Sequence, residues 1–448
     1  MSVIQVQPGS VLSRFSGRPF GINVNYCRDH DSNRPAARPL AEAVREMNAG
    51  HLRYPGGEKS DWVLFHNGKP QPMDIYVGFA QGHHLMDLDD FIALCRQTGA
   101  QPHVVAAYDS EARTGVSEDA YLENALGLLR YANLEKGYGV RFWEIGNENW
   151  HHQTAEPQEM ARVIRRFSRA MKALDPSISI CASGQREAWW RGFLPHVGDA
   201  VDYLVVSQYS CMDWGSYDYF VKHDNIDLVA GARAAIQYLA ECLPEQAERV
   251  KLIIAELNSK DYADLFDRPH WADDNNLGHA LVTFCIFAQM LELPQAVYGM
   301  LWNTRWMDQG EENRRIWYGL GSQNQLLPSA QSIMLLGRFL KDSMVACEAP
   351  KGMMAFASIS EDGSQLTLFV VNKGLDRAAC PRIEIEGGRY ELKEGWVYSG
   401  SGPDDLNPAL RRLTEGLPGA LEACSLTILE YGRKLMKRIP INHGWDFA

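Results

Sequence analysis

Between residue 20 and about residue 340, short β-rich apolar runs alternate with longer stretches of helical periodicity, and the alternation repeats eight times. The runs are FGINVNY, AGHLRYPGG, QPHVVAAY, VRFWEIGNE, ISICASG, YLVVSQY, KLIIAELN and AVYGMLWN. Between them lie segments such as RPLAEAVREMN, LDDFIALCRQTG, PQEMARVIRRFSRAMKAL and LGHALVTFCIFAQMLEL, in which apolar residues recur at helical spacing. Strands that alternate with helices build a parallel sheet covered by helices. Eight such units fit a closed (β/α)8 TIM barrel of the α/β class better than an open doubly wound sheet. No G-x-G-x-x-G turn follows the first run, which removes the usual support for a dinucleotide fold.

Past residue 340 the texture changes. MMAFASIS, QLTLFVVN, RIEIEGG, RYELKEGWVYSG and SLTILEYG are short alternating runs separated by Gly, Asp and Pro, the pattern of a small C-terminal antiparallel β-sandwich. The chain therefore divides into an N-terminal segment, 1–17, offered as an extra strand to the sandwich, a catalytic barrel at 18–342, and a sandwich with a tail at 343–448. A length of 448 residues accommodates a barrel with one small domain.

The net charge of -12, without clustered Lys and Arg, argues against nucleic-acid and anionic-membrane partners. The first residues lack a basic segment followed by an apolar run of signal-peptide length, and no stretch is long and apolar enough to span a bilayer, so a cytoplasmic location is expected. Nine scattered cysteines, none in a C-x-x-C pair, read as reduced thiols. His83 with His84 and His151 with His152 stand in no metal-ligand spacing, so no metal and no cofactor are expected.

Catalytic groups of a (β/α)8 barrel sit at the C-terminal ends of its strands. Here those ends are polar: RYPGGEKSDW after the second strand, GNENW after the fourth, SQYS after the sixth, AELNS after the seventh and LWNTRW after the eighth. Two carboxylates, Glu148 and Glu256, each follow an apolar run on the fourth and seventh strands, beside Asn147 and Asn258. A facing pair of carboxyl groups is the minimal apparatus for cleaving a glycosidic bond, one protonating the leaving oxygen and the other supplying negative charge at the anomeric carbon. The two must titrate differently. Tyr209, at the end of the sixth strand, is placed to hydrogen-bond Glu256 and keep it ionised. Trp302 is the favoured stacking platform for a sugar ring, with Trp150 and His151 bounding the pocket and Arg53 and Glu58 as either substrate contacts or a rim salt bridge.

WEIGNE on the fourth strand, the tyrosine on the sixth and IIAELN on the seventh resemble glycoside hydrolase clan A, retaining (β/α)8 enzymes. Within it, LCRQTGAQPHVVAAYDS, YGVRFWEIGNENW, LRYPGG and SLTILEY are similar to family 51, the α-L-arabinofuranosidases, and more loosely to families 39 and 79. The resemblance implies Glu148 as general acid/base, Glu256 as nucleophile, Asn147 on the hydroxyl beside the anomeric carbon, and Tyr209 and Trp302 orienting the nucleophile and flooring the first subsite. It implies an oligosaccharide or glycoside substrate and homo-oligomers, while exo action on short oligosaccharides is expected from the missing signal peptide, since polymers are usually attacked outside the cell. The chain departs from the family where a first-strand glutamate grips the sugar, having Asn23 and Asn25 instead, of which Asn25 is expected to contact substrate, and after RYPGG, where Glu58 replaces an asparagine. A β-xylosidase, β-glucuronidase or galactoside/agar-type hydrolase of the same clan, a catalytically silent sugar-binding protein, and a lyase or metal-dependent hydrolase using the histidines remain alternatives.

Overall fold

The structure is a computed structural model that describes residues 2–151, 155–260, 271, 274–307, 315–388, 390–414 and 416–433. Its first strand, β1 (Val3–Arg14), precedes the barrel. The barrel strands are β2 (Phe20–Asn23), β3 (His51–Tyr54), β6 (Gln101–Ala106), β7 (Phe142–Ile145), β8 (Ser179–Ser183), β9 (Tyr203–Tyr209), β10 (Lys251–Asn258) and β11 (Ala296–Leu301), with a small hairpin of β4 (Val63–His66) and β5 (Lys69–Pro72) after β3. All eight are paired in parallel and close into a barrel, β11 returning onto β2. Each is a quoted apolar run, because strands covered on both sides need no polar face. The helix Leu88–Thr98 shows how the connections end: Asp87 and Asp90 form a capping box at its start, and Gly99 caps its end.

One register feature matters for the site. Along β10, Ile254 pairs with Val206 but Glu256 pairs with Ser207, so Ala255 is an extra residue bulged out of the ladder. A bulge bends its strand and re-aims the next side chain. Here the next side chain is Glu256.

The second unit is a single eight-stranded sheet. Its members are β1, β12 (Ser343–Glu348), β13 (Met353–Ile359), β14 (Gln365–Asn372), β16 (Arg382–Ile385), β17 (Tyr390–Ser399), β18 (Ala409–Arg412) and β20 (Ser425–Arg433), in the order β16-β1-β12-β13-β14-β20-β17-β18. A separate pair, β15 (Ala378–Ala379) with β19 (Ala420–Leu421), lies outside it. Every pairing is antiparallel except β1 with β16, which runs parallel. One face packs Ile4 and Val6 of β1 with Ala357, Leu368 and Leu429 in a core of its own. The other face meets the barrel through the helix Leu277–Leu291, where Phe284 lies 6.4 Å from Phe356 and 5.4 Å from Phe369. That helix has no polar face because both sides of it are covered.

All nine cysteines are free of disulfides. Among the described residues no helix is long and apolar enough to cross a membrane. Residues 434–448 of the expected accessory unit, and His152, lie outside the described residues.

Ile4 is fully buried although it stands near the chain start. Ile4→Ala is expected to lower unfolding free energy by about 2–5 kcal/mol, read as a fall in urea midpoint at unchanged m-value. An unchanged midpoint would mean that β1 does not hold the sheet.

Candidate active site

The centre of the barrel mouth is organised by Arg53, the third residue of β3 and only 1% exposed. A guanidinium carries five N–H donors. All five are engaged: Nε and Nη2 with the two oxygens of Glu144 at 2.8 and 3.0 Å, Nη1 with Glu256 Oε1 at 2.8 Å and Asn23 Oδ1 at 3.0 Å, and Nη2 also with Asn147 Oδ1 at 2.8 Å. Arg53 therefore has no donor left for a substrate, and its partners are Glu144 and Glu256 rather than Glu58. Both expectations for Arg53, substrate contact and a rim salt bridge to Glu58, are corrected on this point. Burial alone would push the Glu144 carboxyl up, but the Arg53 charge and the His103 hydrogen bond at 2.8 Å hold it below the ordinary carboxylate range. His103 passes the chain on to Tyr298 at 2.9 Å, giving a buried polar column along the barrel axis.

Glu256 receives a second hydrogen bond, from the Tyr209 hydroxyl at 2.8 Å. The bulge before it leaves the Ala255 carbonyl outside the ladder, and Asn23 Nδ2 donates to that carbonyl at 2.7 Å. Burial pushes the Glu256 carboxyl up against the pull of Arg53 and Tyr209.

Glu148 stands on the loop after β7 with a φ of +44°, a left-handed conformation that non-glycine residues rarely adopt. Three contacts hold that loop: the Asn147 N–H donates to Asp61 Oδ1 at 2.9 Å, Asn149 Nδ2 to the Tyr108 carbonyl at 2.9 Å, and the His151 N–H to the Glu148 carbonyl at 2.7 Å. The Ser207 hydroxyl donates to Glu148 Oε1. Since Ser207 is the residue paired with Glu256, the Glu148 carboxyl is brought to the strand directly beside the second carboxylate. Asn147 accepts from Arg53 through Oδ1, and its Nδ2 takes no partner among the described residues.

Trp302 follows β11 and is 6% exposed, with its backbone N–H on the Leu257 carbonyl at 2.9 Å. Gly57, at φ +69°, lies flat against the indole: a Cβ there would stand 1.8 Å from the ring. Asn258 Nδ2 donates to the Trp302 carbonyl at 2.6 Å, which makes this asparagine a support for the Trp302 backbone. Beside that indole the Lys59 ammonium is buried 5.3 Å from the Trp302 ring centroid and 4.5 Å from that of Trp306, and burial lowers it to about 7. Glu58 is half-buried, and burial pushes its carboxyl up. Trp150 is half-buried with His151 edge-on at 5.3 Å.

Asn25 was expected to meet substrate. It is fully buried, donating to the Arg305 carbonyl at 3.0 Å and accepting from the Cys27 N–H at 3.1 Å. Its amide shapes the loop after β2. Glu144, His103 and Ser207 were not foreseen. The signal for Glu144 was a lone carboxylate inside an apolar strand, which must find a cation to be buried. Among the described residues no group of three or more His, Cys, Asp or Glu side chains is placed to hold a metal ion.

No family model matches the chain. An intracellular exo-α-(1→5)-L-arabinofuranosidase of Acetivibrio thermocellus is 26% identical over 218 residues, which cover 42% of this chain and 42% of that protein. A probable α-L-arabinofuranosidase C of Aspergillus fumigatus is 29% identical over 168 residues, 33% of this chain and 32% of that protein. The chain thus spans less than half the length of the relatives it matches. The structure of an α-L-arabinofuranosidase from Thermotoga maritima in complex with arabinose superposes with a TM-score of 0.73 at 20% identity, covering 96% of this chain and 99% of the other. A family 51 α-L-arabinofuranosidase from Thermotoga petrophila gives 0.71 at 19% identity, over 96% and 100%. In fold and in part of its sequence, the chain is similar to the family 51 arabinofuranosidases. The likeness includes the barrel followed by a C-terminal sandwich.

Removing Arg53 tests its place in this arrangement. Glu144 binds its proton less tightly when folded than when unfolded, so its stabilisation is present above the ordinary carboxylate range and lost as pH falls through its folded value. Arg53→Met is expected to lower stability by about 3–5 kcal/mol, with a larger loss at pH 8 than at pH 5, because the stranded carboxyls escape by protonation. Urea unfolding at the two pH values measures it, and an equal loss at both would contradict the pairing.

Proposed function

We propose that the protein is a retaining glycoside hydrolase of arabinofuranosidase type, acting from the chain ends of oligosaccharides. The observation that carries this reading is the placement of Glu256, gripped by Arg53 and Tyr209 at the end of β10, with the Glu148 carboxyl on Ser207 of the adjacent strand. Neighbouring strands lie about 4.8 Å apart, a spacing that favours the short carboxylate separation of retaining enzymes, about 5–5.5 Å. In the first step Glu256 attacks the anomeric carbon while Glu148 gives its proton to the departing glycosidic oxygen. In the second, Glu148 takes a proton from water as the water displaces Glu256 and regenerates the carboxylate. Asn147 Nδ2 is available to the hydroxyl beside the anomeric carbon, and Trp302 floors the first subsite. The partial likeness to arabinofuranosidases supports the glycone, and the naming of two relatives as intracellular supports action inside the cell.

The direct test is turnover on aryl glycosides. Wild type is expected to release the aryl group from an α-L-arabinofuranoside, Glu256→Ala to abolish release, and Glu148→Ala to lower kcat/KM by about 10²–10⁴-fold. β-D-Xyloside, β-D-glucuronide and galactosides belong in the same panel because the Asn25 amide is committed to backbone. A Glu256→Ala enzyme that keeps wild-type rates would end the proposal.

The pH profile follows from Glu256, which must be ionised to attack. Its burial places the acidic limb of kcat/KM above the ordinary glutamate value of about 4.3. Tyr209→Phe deletes a hydrogen bond that favours the carboxylate, so its acidic limb is expected to move to higher pH. A limb that stays put or moves down would show that Tyr209 does not act on the nucleophile.

A further inference from the structure

The opposite, N-terminal mouth of the barrel holds a cavity of about 620 Å³. Arg14 at the end of β1, Arg18 ahead of β2, Arg141 ahead of β7 and Lys251 at the start of β10 all line it, and no Asp or Glu is among its lining residues. None of these four cations has an acidic partner among the described residues. Arg18 donates to Asn48 Oδ1 at 2.6 Å and to the Gly99 carbonyl at 2.8 Å, and Arg141 lies 5.4 Å from the Phe142 ring centroid and makes long contacts with Ser179 Oγ at 3.4 Å and Tyr203 Oη at 3.5 Å. Arg162 pairs with Glu118 and Arg249 with Asp202, whereas Arg130, Arg165 and Arg169 stand singly on helix surfaces among the described residues; the four cations here differ from both in lining one cavity. In a chain of net charge -12, four unmatched cations around one concave surface concentrate charge that their mutual repulsion opposes.

A bound anion removes that repulsion. Arginine forks match the oxygens of phosphate-type groups, and the volume falls within the range of small-ligand sites, about 300–1,000 Å³. Phe15, Phe142 and Val297 supply an apolar wall beside the charges.

We propose that this cavity binds a small, multiply charged oxyanion of the phosphate class, either free or as the phosphate ester of a small molecule. The site is independent of the glycosidase reading.

Isothermal titration of the full-length protein in 150 mM sodium chloride, with inorganic phosphate, pyrophosphate and glucose 6-phosphate as probes, tests it. The expected result is saturable one-to-one binding of pyrophosphate that weakens at least tenfold in an R141Q/K251Q double variant whose circular dichroism and aryl-glycoside turnover match wild type. Tighter binding of the sugar phosphate than of inorganic phosphate assigns the apolar wall to an ester, and the reverse order assigns the site to free phosphates. Absence of saturable heat with all three probes, or equal affinity in the double variant, overturns the proposal.

Discussion

One guanidinium with every donor occupied sets the geometry of the barrel mouth. Arg53 ties Asn23, Glu144, Asn147 and Glu256 into one buried unit, and these residues come from β2, β7, the loop after β7 and β10. Such an arrangement is a poor way to gain stability, since desolvating an arginine and two carboxylates roughly offsets their attraction. Its value lies in position. A carboxylate fixed by a planar fork and a phenol has little freedom to turn, and a group that attacks carbon benefits from being held near its line of attack.

The surrounding structure serves that placement. The Ala255 bulge turns Glu256 inward, and Asn23 satisfies the carbonyl that the bulge frees while also accepting from Arg53. Asp61 holds the Asn147 backbone, so the same loop that follows β3 and carries Lys59 beside the Trp302 indole also steadies the strand-end bearing Glu148. The left-handed backbone at Glu148 is thereby kept by contacts on both sides of it. Below, the Glu144–His103–Tyr298 column fills the barrel axis with matched polar groups where a barrel of this size could have been apolar.

Much of this was legible in the residues. The eightfold alternation announced the closed barrel because a strand covered on both faces must be apolar throughout, and a strand that ends in Gly-Asn-Glu or Ala-Glu-Leu-Asn puts a carboxylate where barrels keep their chemistry. Glu144 escaped notice because it sits two residues inside the apolar run that made β7 recognisable. The role of Arg53 was out of reach for another reason: its four partners are brought together only by barrel closure, and no local pattern records that. Asn25 misled because its spacing beside Asn23 invited a shared function, whereas one amide spans strands and the other pins a loop. The parallel pairing of β1 with β16 was equally hidden, since neighbours in a sheet are chosen by the whole fold.

The most direct test of the central claim is to treat the protein with a 2-fluoro-substituted activated glycoside of the sugar it turns over best and map the labelled peptide by mass spectrometry. A fluorine at that position slows both steps by destabilising the oxocarbenium-like transition state, and a good leaving group lets the first outrun the second. One sugar per chain is expected, attached to the peptide containing Glu256 and absent in Glu256→Ala. A label on Glu148, or complete turnover with inverted anomeric configuration and no adduct, would contradict it.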